Sequence, residues 1–153
     1  AFIGWKQEPD DYLEHILGHD RLEKLNPIRT FRDNNIVVSF GSDAPCTTPD
    51  PIAWMDRAVN NDNAGQAVSV QDALRMCTYN GAWAAFDEQE RGSLEAGKIA
   101  DMAVLSENPY TVPKDKLSGL RVERLYLSGK SYESCRESIL PMMLRGLTSR
   151  NKA

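Results

Sequence analysis

Residues Ile36-Val37-Val38-Ser39-Phe40-Gly41-Ser42-Asp43-Ala44-Pro45 run from an apolar stretch into a loop that carries one carboxylate. Ile36 to Phe40 are β-branched, apolar or small with little alternation, the pattern of a strand covered on both faces in a parallel sheet. The loop residues after Phe40 then present Asp43 at the strand's carboxyl end. In a parallel barrel the reacting groups sit at that end, held rigidly by the strand yet free to meet substrate or metal. A turn or helix-cap role is the bland alternative for a loop Asp.

The flanking segments predict helices on either side of this strand. Asp10 and Asp11 precede Tyr12, Leu13, Ile16 and Leu17, which share a stripe with acids at its start, so a first helix is expected through about Leu25. Asn26 as N-cap and Pro27 at the first helical position predict a second helix ending at Asn34-Asn35. Downstream, Asp50-Pro51 caps a short helix carrying Ile52, Ala53, Met55 and Val59. After the turn residues Asn60 to Gly65, Ser69 and Asp72 resemble a capping box. They open what reads as the longest helix, with Val70, Ala73, Leu74, Cys77, Gly81, Ala82 and Ala85 on one small-residue stripe suited to close packing.

From Gly92 the period changes to that of strands. Ser93-Leu94 and Ile99 to Leu105 are expected to pair in a hairpin, with Gly97 taking the positive φ of its turn. Val122 to Leu127 alternates as a further strand closed by Ser128-Gly129-Lys130. The tail from Glu133 to Arg145 is helical in character but interrupted by Pro141. Three segments are therefore expected: 1–88, 89–132 and 133–153.

Composition narrows the function classes. A chain of 153 residues allows one or two compact units, and 41% hydrophobic with 26% charged residues is ordinary for a globular protein. The net charge of −4, spread along the chain, gives no footprint for nucleic acid or an anionic membrane. No apolar run approaches the roughly 18 residues that span a bilayer, and the first residues lack a signal-peptide layout, so a cytoplasmic location and small polar partners are expected. Cys46, Cys77 and Cys135 are odd in number without a C-x-x-C pair and read as free thiols. The chain does not begin with Met, which suggests a processed piece.

The span from about Leu17 to Tyr132 resembles the amidohydrolase superfamily, in particular its YtcJ-like branch of metal-dependent hydrolases. Its motifs are Leu17-Gly18 with Arg21, Asn26-Pro27-Ile28-Arg29, Gly41-Ser42-Asp43-Ala44-Pro45, Thr78-Tyr79-Asn80-Gly81-Ala82, and the stretch from Gly92 to Leu105 closing on Leu127-Ser128-Gly129-Lys130. The resemblance implies an α/β to α+β fold: the last βα unit of a TIM-type barrel plus part of a composite β-sandwich. It also implies that Asp43 ends the eighth barrel strand, binds a divalent metal, zinc in the first instance, and acts as catalytic base. Such a metal lowers the pKa of bound water to about 7, and the carboxylate moves the remaining proton to the leaving nitrogen.

The rest of the family's site is not in this sequence, which lacks its H-x-H pair and later histidines. His15 and His19 stand at i, i+4 on an expected helix without the H-E-x-x-H order, and are read as solvent-facing. Cys46 has no adjacent base and is not read as a nucleophile; Trp54, Trp83 and Phe86 are read as packing residues. A full barrel takes roughly 250 residues. The expectation is thus the C-terminal part of a hydrolase of non-peptide C–N bonds acting on a small molecule. By itself the piece is expected to be inactive, to hold no metal, and to associate as a homo-oligomer through exposed edges. The alternative is a non-enzymatic α+β assembly or partner-binding module.

Overall fold

The computed structural model describes residues 10–132. Along them the elements run α1 (Asp10–Leu17), α2 (His19–Leu22), α3 (Ile28–Asp33), α4 (Pro51–Val59), α5 (Val70–Cys77), α6 (Tyr79–Ala84), β1 (Met102–Leu105), β2 (Val122–Leu127) and β3 (Lys130–Tyr132), with 3-10 turns at Ala64–Gln66 and Lys114–Gly119. The tail from Glu133 onward, for which a broken helix is expected, lies outside the described residues.

Capping chemistry fixes two helix starts as the sequence predicts. The Asp50 carboxylate accepts from the N–H groups of Ile52 at 3.0 Å and Ala53 at 3.2 Å, with Pro51 at the position where an N–H would have no helical partner. Ser69 and Asp72 form a reciprocal capping box on α5.

Helix lengths differ from expectation. Gly18 at φ 76° divides the first helix into α1 and α2. Pro27 takes the cap position of α3, with Asn26 at φ 53°. The long helix expected beyond Val70 breaks at Thr78, whose backbone leaves the helical region (φ −123°, ψ −92°) and whose hydroxyl donates to the Leu74 carbonyl at 2.8 Å.

The core lies between α4, α5 and the turn at Lys114–Gly119. Met55, Ala58 and Val59 meet Ala73 and Met76, joined by Ile28, Val68, Leu117 and Leu120. Ala58 and Ala73 are fully buried, so small side chains set the spacing of the two helices. Val38 and Phe40 pack onto this cluster from the segment before Asp43.

That segment is not the doubly covered strand expected from Ile36 to Phe40. It belongs to no sheet: Val38 and Phe40 are half-buried, whereas Ile36 and Val37 are 52% and 44% exposed. A parallel strand exists only against neighbouring strands, and the described residues supply none beside it.

The one sheet among the described residues is antiparallel, ordered β1-β2-β3, with Met102 opposite Tyr126 and Leu125 opposite Tyr132. The expected pairing of Ser93-Leu94 does not form. Side chains close residues 93–98 into a turn instead: Lys98 Nζ donates to Ser93 Oγ at 2.6 Å and to the Glu88 carbonyl at 2.7 Å, while Ser93 Oγ donates to Glu95 at 2.6 Å. Among the described residues no helix is long and apolar enough to cross a membrane.

Two glycines in this region differ in environment. Gly92 (φ 89°) lies so close to α6 that an added Cβ would sit 2.6 Å from Ala82 Cβ and 3.1 Å from Tyr79 Cα, whereas Gly97 (φ 96°) has open space. Gly97→Ala should lose about 1–2 kcal/mol from backbone strain alone, and Gly92→Ala a further ~1–3 kcal/mol from overpacking. Urea unfolding of the two variants checks the order; equal losses would contradict the close contact.

Candidate functional site

Asp43 sits in a loop that closes on itself immediately after the segment packed on the core. Its carbonyl accepts from Cys46 N–H at 2.9 Å, making a turn in which Asp43 has φ 53° and the Ala44–Pro45 peptide is cis. Aspartate is among the few non-glycine residues that enter this left-handed region readily. Ser42 Oγ accepts from Ala44 N–H at 3.2 Å, and the Ser42 carbonyl accepts the Thr47 hydroxyl. The loop thus spends its own polar groups on its shape and leaves the Asp43 side chain exposed.

Two long-range bonds secure the approach to this loop. Phe40 N–H donates to the Met76 carbonyl at 3.2 Å, and Asn80 Nδ2 donates to the Val38 carbonyl at 2.7 Å. Beside the segment's amino end lies a cavity of about 410 Å³ whose lining includes Ile36, Val37, Arg75, Tyr79, Asn80 and Trp83. Asp43 is not part of it. Of the three aromatics expected to pack, Trp83 is 47% exposed and lines this cavity, Phe86 is 93% exposed because it follows the end of α6 at a left-handed φ of 59°, and Trp54 is half-buried on α4 and does not line the cavity.

The two arginines that line this cavity are held in different ways. Arg32 pairs with Asp33 and Asp72, and Arg75 lies 4.3 Å from the centre of the Tyr79 ring. Desolvation acts to raise the Asp72 pKa, but hydrogen bonds from Ser69 and Arg32 outweigh it and hold the carboxyl below its ordinary value. Arg32 is correspondingly raised, first by its bond to Asp33 and then by that to Asp72.

The other residues considered for chemistry are placed apart from Asp43. His19 Nδ1 stands 3.1 Å from Glu14 and is exposed, as is His15; with Gly18 between them the two lie on separate helices. Cys46 is an exposed free thiol. Burial raises the Cys77 thiol to about 12, and its Sγ is 3.7 Å from the Pro51 carbonyl, so it is an inert packing group. Among the described residues no three His, Cys, Asp or Glu side chains converge on a point where a metal ion could sit. Asp43 offers one carboxylate and does not by itself make a metal site.

Sequence reasoning missed Asn80 as an anchor. The signal was present: Asn80 follows Met76 at i+4 and Ala73 at i+7, a polar residue in phase with the buried face.

The sequence model of the amidohydrolase family matches residues 2–132. The chain belongs to the amidohydrolase family. Among relatives of this amidohydrolase chain, the N-substituted formamide deformylase of Arthrobacter pascens is 36% identical over 136 residues, covering 84% of this chain and 23% of the relative. YtcJ of Bacillus subtilis (strain 168) is 27% identical over 124 residues, covering 74% and 23%. An amidohydrolase from Thermotoga maritima MSB8 superposes with a TM-score of 0.56 at 23% identity, over 76% of this chain and 28% of that one, a likeness of fold. The amidohydrolase chain therefore spans less than a quarter of the length of these two curated relatives.

The Asp72 shift carries a pH dependence of stability. A carboxyl held below its unfolded value contributes fully above that ordinary value of 3.8, and its contribution is lost as pH falls through the folded value. Urea titrations below pH 4 should show wild type losing stability with acid, and Asp72→Asn, weaker at neutral pH, losing less over the same range. Parallel acid limbs would contradict the assignment.

Proposed function

We propose that this chain is the C-terminal part of a metal-dependent hydrolase that cleaves non-peptide C–N bonds, in amides or cyclic amides, of a small molecule. On this reading residues 36–40 form the last strand of a TIM-type barrel, α5 and α6 lie behind it, and β1 to β3 belong to a composite β-sandwich. The observation that carries the proposal is the position of Asp43: an exposed carboxylate in a self-closed turn, at the end of an extended segment fastened to the core. The relatives named as a deformylase and, in Caldanaerobacter subterraneus subsp. tengcongensis, as a 5-methylthioadenosine/S-adenosylhomocysteine deaminase (29% identical over 128 residues, 72% of this chain and 29% of the relative) support C–N chemistry.

Asp43 in this mechanism takes the proton from the attacking water and delivers it to the departing nitrogen, a shuttle that one carboxylate with free access to both atoms performs. A bound divalent metal, zinc by the family resemblance, would supply acidification of the water and polarisation of the scissile group. The described residues give it one ligand and do not complete a site, so the remaining ligands would come from elsewhere in the hydrolase, and the chain alone would be inactive and hold no metal tightly. The exposed apolar side chains Ile36, Val37 and Trp83 favour self-association of the isolated chain. A cytoplasmic location without nucleic-acid or membrane partners completes the proposal.

In the full-length protein, Asp43→Asn keeps a residue that tolerates φ 53° while removing the base. With an N-substituted formamide as the first substrate, amine release should fall by about 10²–10⁴-fold with an unchanged thermal melt. Undiminished release would remove Asp43 from the mechanism. For the isolated chain, sedimentation should show concentration-dependent association, and a stable monomer at all concentrations would contradict the self-association.

A further inference from the structure

We draw no further inference here: the strongest candidate, the cavity beside Ile36 and Val37 that Arg75, Tyr79 and Trp83 help to line, opens on the segment proposed as the last barrel strand, and nothing in the structure shows what covers it there.

Discussion

Extended backbone must find hydrogen-bond partners, and for residues 36–40 no adjacent strand among those described provides them. The structure answers with partners drawn from helices: Ile36 N–H turns back to the Phe31 carbonyl at 2.9 Å, Phe40 N–H reaches Met76, and Val38 receives Asn80. Since Met76 is itself in the core, the segment inherits the rigidity of the α4–α5 packing. Everything proposed for Asp43 depends on that inheritance, because a carboxylate on a freely moving loop would lose the orientation that catalysis requires.

A second set of contacts joins the helices to the sheet. Gly92 touches the α6 backbone, the centre of the Tyr79 ring is 4.3 Å from the Arg75 guanidinium and 5.7 Å from Lys98 Nζ, and Arg91 Nη1 bonds Asp101 at 3.1 Å. Asp101 in turn accepts from Ser128 N–H at 2.8 Å in the turn between β2 and β3. The polar chain and the missing Cβ work together: close backbone approach brings the charges within reach, and their pairing holds the approach.

What was legible in the sequence was local. Asp50-Pro51, the Ser69 and Asp72 pair, the alternation of Val122 to Leu127 and its closing turn each encode their geometry in a few neighbouring residues. The breaks at Gly18 and Thr78 were less visible, since a helical stripe continues in phase across both. The strand reading of Ile36 to Phe40 failed for a different reason: composition reports preference for extended backbone, while a ladder requires a neighbour that no local pattern supplies. Ser93-Leu94 likewise lost its expected pairing to side chains whose convergence is tertiary. At the candidate site the sequence placed Asp43 at the end of an extended run, and missed Asn80 because one amide among small residues looks like a surface position until its phase is compared with Ala73 and Met76.

Lys98 illustrates how fully a charge can be consumed inside a turn. Its ammonium offers three donors, and the Glu88 carbonyl, Ser93 Oγ and, at 3.5 Å, the Glu95 carboxylate meet them, leaving the side chain 12% exposed. A guanidinium, planar and larger, matches no such three-sided nest. The amine is thereby withdrawn from acylation and cross-linking chemistry: of the seven lysines in the chain, this one behaves as an internal rivet.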